Sequence, residues 1–189
     1  MSKQNKIITV SRGVYMKNDF KFCPICASQN IANINNRKWE CRDCGFILYN
    51  NSATAVGVII INDTGQILME VRAKEPKKGL LDVPGGFVEH DESTEQACFR
   101  ECREELGVDI NNLKYLCAFP NTYEYKNIQY KTCDAFFVAK ISDDAKFNLQ
   151  IDEVSDVKWC TLENQQDLTN LPLAFDSAYR ALDFYLKNK

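Results

Sequence analysis

Three glutamates, Glu101, Glu104 and Glu105, stand at spacings of i, i+3 and i+4. On a helix they share one face within an arc of roughly 100°. Like charges four residues apart weaken a helix, so the cluster is poor as structure. It suits a hard cation instead: Mg²⁺ takes oxygen ligands, keeps several waters and bridges to phosphates. A solvated acidic face partnered by Arg100 and Arg103 is the competing reading. A second set lies upstream, where Cys23-Pro-Ile-Cys26 and Cys41-Arg-Asp-Cys44 form two C-x₂-C turns with 14 residues between them. Four thiolates so spaced match a tetrahedral Zn²⁺ site, although 14 falls slightly short of the usual inner spacing of about 15–20. Two disulfides or four unrelated thiols are the alternatives. Structural zinc is expected, because a module of ~30 residues buries too little core to fold alone. Gly45 helps the second turn close. Trp39 and Arg37, between the turns, read as packed and solvated, with binding of a base or RNA as the alternative.

These groups need elements to carry them. Residues 1–50 are expected to form an N-terminal segment, with a strand-like stretch at Lys6–Ser11, followed by the cysteine module. Residues 51–189 are expected to form the main domain, linked through Tyr49–Ser52. That domain opens with Ala53–Ile61, β-rich and nearly all apolar. A turn at Asn62–Gly65 and a strand over Gln66–Arg72 complete a hairpin. A lysine-rich loop covers 73–79, and a turn with Pro84, Gly85 and Gly86 leads to a short strand at Phe87–Val88. The glutamate helix is predicted from Ser93 to Leu106. Ser93 with Gln96 makes a capping box, and Gly107 is the C-terminal stop. Strands are expected near 113–119, 122–130, 132–140 and 154–160. An amphipathic helix over 173–187 places Ala174, Ala178, Leu182 and Tyr185 on one face. Mixed strands with two helices indicate an α/β layered domain.

Composition narrows the function classes. The net charge is −3 and the pI about 5.3, whereas a protein that binds nucleic acid chiefly through its phosphates carries a basic excess. General nucleic-acid binding is therefore not expected. No apolar run approaches the roughly 20 residues of a membrane helix, and residues 1–10 lack the apolar segment of a secretory signal. A cytoplasmic location is expected, which also disfavours structural disulfides. Cys98, Cys102, Cys117, Cys133 and Cys160 are read as small buried apolar groups.

The segment from Gly85 to Val108 resembles the signature of the Nudix hydrolases. That signature runs Gly, five residues, Glu, seven residues, Arg-Glu, an apolar residue, any residue, Glu-Glu, any residue, Gly, apolar. Here Gly86, Glu92, Arg100, Glu101, Cys102, Glu104, Glu105, Gly107 and Val108 occupy the specified positions. Cys102 is a small apolar group where an aliphatic residue is more usual. Val83-Pro84-Gly85-Gly86 also looks like the family, and the order of elements is similar over about 53–186.

The resemblance implies an α/β/α sandwich with a mixed sheet. It further implies Mg²⁺- or Mn²⁺-dependent hydrolysis of a pyrophosphate bond in a nucleoside diphosphate linked to another moiety. Glu101, Glu104 and Glu105 would hold the metal with a backbone carbonyl of the Gly85–Gly86 turn, assigned to Gly86. Arg100 would orient a metal-site glutamate, supported by Glu92. A further carboxylate often lies outside the signature: Glu153 is the candidate, Asp152 and Asp156 compete, and Glu124 is more remote. His90, the single histidine, falls at a free position and is expected to be exposed.

A zinc ribbon ahead of a Nudix domain resembles NADH pyrophosphatases, some of which remove NAD caps from RNA. Their Ser-Gln-Pro-Trp stretch is absent, and Cys117-Ala-Phe-Pro-Asn-Thr-Tyr-Glu-Tyr stands in that region. The substrates implied are ADP-ribose, NADH or nucleotide-sugar-like molecules, with capped RNA as a further case. Tyr123 and Tyr125, with Tyr130, offer faces for a nucleobase or pack as ordinary strand tyrosines. Phe119 and Phe137 read as core. A homodimer is expected because many relatives form one. The alternative function is a non-catalytic module that binds a nucleotide or a protein partner.

Overall fold

The computed structural model describes residues 20–125, 128–142 and 144–189, so the expected stretch at Lys6–Ser11 lies outside them. The chain divides into two compact units, one running to Asn50 and the other opening at Asn51. In the first, β1 (Ile31–Ile34), β2 (Lys38–Cys41) and β3 (Ile47–Tyr49) form an antiparallel sheet in that order. Trp39 is buried, with its ring edge-on to Phe20 at 5.1 Å. It packs, as expected. Arg37 is exposed.

The second unit is built on β4 (Ala53–Ile61), whose final six residues are all buried. Such a strand needs cover on both faces, and alternation supplies it. Val56, Val58 and Ile60 pack under the helix α1 (Thr94–Leu106), against Ala97, Cys98, Cys102 and Leu106. Ile59 and Ile61 pack on the other face against Ala178, Ala181 and Leu182 of α3 (Asp176–Asn188). The result is the α/β/α sandwich the resemblance implies. A third, short helix, α2 (Gln165–Thr169), was not anticipated; it contributes Leu168 to the α3 side.

The sheet is mixed. β4 pairs in parallel with β8 (Ile128–Lys140) and meets β5 (Ile67–Arg72) antiparallel at Ile61 and Ile67. β7 (Asn111–Tyr125) lies beyond β8, while β6 (Leu81–Asp82) and β9 (Val154–Cys160) pair with β5. Two sequence expectations change, and one strand is added. The strand expected at 113–119 and the start of that expected at 122–130 are one long strand, β7, while residues 128–130 belong to β8 together with the strand expected at 132–140. Phe87–Val88 makes only an isolated bridge, from Phe87 to Ala55. β6, two residues long, carries no periodic signal, yet it sets Asp82 opposite Glu70.

Of the five scattered cysteines, Cys98, Cys102 and Cys117 are buried as expected; Cys160 is half-buried and Cys133 is exposed. Phe137 is core, whereas Phe119 is half-buried beneath the Arg180 guanidinium. Among the described residues no helix is long and apolar enough to cross a membrane.

Helix α1 carries the glutamates, and its first turn is closed by the predicted capping box. The Ser93 hydroxyl accepts from the Gln96 amide, and the Gln96 side chain accepts from the Ser93 amide. Gly107 ends the helix at φ +68°. Ser93→Ala should lower stability by about 1 kcal/mol. Thermal melting should then shift down by ~2–4 °C.

Candidate active site

A cleft of about 640 Å³ opens in the second unit, with Glu101, Glu104, Glu105, Arg100, Gly86 and Glu153 all on its wall. Arg100 organises one side. Its Nε and Nη2 donate to the two oxygens of Glu92 at 3.1 and 2.6 Å. Its Nη1 donates to Glu101 at 2.8 Å and Glu104 at 2.9 Å, and its Nη2 reaches the Phe87 carbonyl at 3.0 Å. A planar guanidinium is suited to this fork-like binding. The hydrogen bonds from Arg100 hold the Glu92 carboxyl below its usual range. Glu92 also accepts from the Glu89 amide, which anchors the loop ahead of the helix. Arg103, named as a partner in the solvated reading, turns away to Asp109 at 2.5 Å.

Glu105 is fixed differently, accepting the Gly85 amide at 2.8 Å. The Gly85–Gly86 turn threads between β4 and α1. A Cβ on Gly85 would overlap the Val56 carbonyl, and one on Gly86 would overlap the Glu101 carboxylate. The Gly86 carbonyl accepts the Val56 amide at 2.8 Å, which leaves one of its two lone pairs for another partner.

Glu153, immediately before β9, is brought to the same cleft and pairs with Lys74 at 2.5 Å. Asp152 and Asp156 are exposed and do not line it, nor does Glu124. His90 is exposed, as expected. Tyr123 lines the cleft, edge-on to Phe87 at 5.7 Å and 5.9 Å from Phe175. Tyr125 ends β7, and its side chain lies outside the described residues.

Sequence reading missed several groups. Glu70 on β5 is only 2% exposed and one of its oxygens has no partner. Burial, reinforced by the charge of Asp82, pushes its carboxyl up to about 8. Burial likewise raises Asp82 to about 6, against the pull of Arg72 at 3.3 Å. Glu105 is pushed well up by burial and by Glu70, and Glu101 is raised by burial. Four carboxylates thus converge with too few cations in reach, and a divalent ion would relieve that excess charge. The signal for Glu70 was faint: an acid within an otherwise apolar strand. Glu70 is not itself on the cleft wall; Asp82 is, with Arg72, Phe175, Asn121, Thr132, Asp134 and Ser177, gathered from elements distant in sequence.

The cysteines form a separate cluster. Cys23 and Cys44 sulfurs are 3.7 Å apart, as are those of Cys26 and Cys41. All four lie within 4.8 Å of one another, the single such group among the described residues. Zinc bonded to sulfur at ~2.3 Å needs tetrahedral edges of about 3.8 Å, while a disulfide closes to about 2.05 Å. The donor set fits zinc. The three helix glutamates share the cleft wall without all gathering to that separation: Arg100 ties Glu101 to Glu104, while the Gly85 amide holds Glu105.

A mixed sheet lies between helices, and its carboxylate helix faces a cleft. The profile of the NUDIX domain matches residues 51–181, and the chain belongs to the Nudix hydrolase family. It is similar to the NAD-capped RNA hydrolase NudC of Vibrio atlanticus (strain LGP32), 30% identical over 160 residues, covering 84% of this chain and 53% of the relative. The chain spans about half the length of the curated relatives it first matches.

Among solved structures, it is similar to the Nudix domain of Shewanella oneidensis NrtR complexed with ADP ribose. That match has 27% identity and a TM-score of 0.61, covering 74% of this chain and 90% of the other. It is also similar to a bifunctional NMN adenylyltransferase/ADP ribose pyrophosphatase from Francisella tularensis complexed with AMP and a manganese ion. That match has 25% identity and a TM-score of 0.56, covering 74% of this chain and 42% of the other.

Two measurements test this geometry. For Glu70 the folded value of about 8 exceeds the ordinary 4.5. Between those values the folded protein holds a proton that the unfolded chain has lost, so stability falls as pH rises through that window. With divalent ions chelated, melting should drop between about pH 5 and about pH 8.5, and Glu70→Gln should shrink the drop by on the order of 5 °C. An unchanged pH slope would remove Glu70 from the account. Separately, metal analysis of the purified protein should find zinc that Cys41→Ser abolishes.

Proposed function

We propose that this chain hydrolyses the pyrophosphate bond of a nucleoside diphosphate linked to another moiety, using Mg²⁺ or Mn²⁺. The observation that carries this reading is the convergence of Glu101, Glu104, Glu105 and Glu153 on one cleft with aromatic and polar groups beside them. Glu101, Glu104 and Glu105 hold the divalent ions, with the Gly86 carbonyl as a further donor. Such ions neutralise phosphate charge, polarise the phosphorus centre and acidify the attacking water.

Arg100 orients Glu101 and Glu104, and Glu92 locks Arg100. Glu153 is the extra carboxylate, placed to accept the proton of the attacking water once Lys74 yields it. Water adds its oxygen to one phosphorus, and the bridging P–O bond breaks. The products are a nucleoside monophosphate and the phosphorylated second moiety. Tyr123 lies beside the nucleoside, with Tyr125 as a further candidate on the same strand. Zinc on the four cysteines is structural: it holds together a unit too small to bury a core. ADP-ribose and NADH-like molecules head the substrate class, since the NrtR Nudix domain is complexed with ADP ribose and the NudC relatives hydrolyse NAD-capped RNA.

The test is product analysis with Mg²⁺ across NADH, ADP-ribose, diadenosine polyphosphates, nucleotide sugars, nucleoside triphosphates and NAD-capped RNA. One class should release a nucleoside monophosphate, and chelation should stop it. Glu104→Gln with Glu105→Gln should cut turnover by about 10³-fold or more, the scale expected when groups that stabilise transition-state charge are lost. Unchanged turnover in that variant sinks the assignment. Binding of ADP-ribose without hydrolysis would make the chain a nucleotide-binding module instead.

A further inference from the structure

At the end of the cleft away from α1, a polar group sits among aromatic walls. Thr132, Asp134 and Phe136 lie on one face of β8, opposite Ala53, Ala55 and Gly57 of β4. Ala55 and Gly57 line the cleft beside them, and a Cβ on Gly57 would meet the Phe136 ring at 2.6 Å. Asp134 is 8% exposed. Its Oδ2 accepts from the Asn121 side-chain amide at 2.8 Å and from the Ser177 hydroxyl at 2.7 Å. Ser177 lies in the first turn of α3, where the helix dipole favours a carboxylate. These bonds fix the carboxylate, but they use one oxygen only. Asp134 Oδ1 and the Thr132 hydroxyl, on a residue 3% exposed, are buried without a hydrogen-bond partner among the described residues. A buried polar atom left unsatisfied costs free energy, so a purely structural tether is an incomplete account. Both residues line the cleft together with Tyr123, Phe175 and Phe87.

We propose that Asp134 and Thr132 form a nucleobase-reading subsite, in which Asp134 Oδ1 accepts an N–H of the base edge and the Thr132 hydroxyl donates to the neighbouring acceptor. Asn121 and Ser177 are positioning residues that aim Asp134. Every ordinary nucleobase presents a donor beside an acceptor on its Watson–Crick edge, and aromatic side chains provide flat walls for the ring. A site built to pair such a donor discriminates sharply against an analogue that lacks it. The inference rests on the proposed nucleotide substrate, but it concerns binding rather than turnover.

The experiment therefore uses nucleoside monophosphates, which contain no phosphoanhydride to cut, on the zinc-loaded protein with Mg²⁺. Calorimetry compares AMP, GMP, CMP and UMP with purine riboside 5′-monophosphate, which lacks the base donor. At least one natural nucleotide should bind about tenfold or more tightly than the analogue. Asp134→Asn replaces an acceptor by a donor at nearly constant shape. It should weaken the preferred nucleotide about tenfold while changing the analogue less than about twofold. Thr132→Val should weaken the preferred nucleotide severalfold.

Equal binding of AMP and the analogue, with no preference for any other base, overturns the proposal; so does absence of binding, or an equal loss of all five ligands in Asp134→Asn. The wild-type comparison decides even if Asp134→Asn fails to fold. Hydrolysis is scored separately, so an inactive protein that still prefers the natural bases would refute the reaction and keep the subsite.

Discussion

Where the chain passes between the start of the buried part of β4 and the glutamates of α1 there is room for backbone and no side chain. The turn at Gly85 and Gly86 fills it, with Gly85 at φ +155° and both α-carbons against neighbours that a methyl group would strike. Through this turn the Val56 amide reaches the Gly86 carbonyl and the Gly85 amide reaches Glu105. The contact sets the distance between the sheet and the glutamate helix, and hence where the carboxylates stand. The capping box and the left-handed stop at Gly107 fix the helix at its two ends. The turn fixes its depth.

That depth has an electrostatic consequence. Glu101 and Glu105 are buried beside Glu70 and Asp82, with Arg100 and Arg72 as the nearest cations. Burial and mutual repulsion push these acids toward their protonated forms. A protein tolerates such a cluster when function needs it, because charged groups without partners are costly to bury. Arg100 shows how the cost is contained: one guanidinium ties Glu92, Glu101, Glu104 and the Phe87 carbonyl into a single rigid unit.

The cleft has two chemically different ends. The α1 side is acidic and suited to cations, through which phosphates would be held. The β8–α3 side is aromatic, with hydrogen-bonding capacity still unspent at Asp134 and Thr132. A nucleotide has the same division, phosphates at one end and a flat hydrogen-bonding ring at the other. In the cysteine unit, four sulfurs meet at the spacing one tetrahedral ion requires.

Local spacing carried much of this in the sequence. The cysteine turns, the capping box, Gly107 and the glutamate triplet are each set within a few residues, where backbone geometry alone dictates which side chains meet. The nearly all-apolar run of β4 and the helical face of α3 were legible for the same reason. What only the tertiary structure decided are meetings across the sheet. Glu70 faces Asp82 because a two-residue strand, too short to show a period, pairs with β5. Asp134 meets Asn121 and Ser177 because β8 lies beside both β4 and β7 while α3 folds back over them. β7 runs unbroken through positions that read as a strand break, because its pairing with β8 outweighs the local turn preference of Pro120 and Asn121. Pairing and burial act between residues far apart along the chain, and no local pattern records which distant partner each will find.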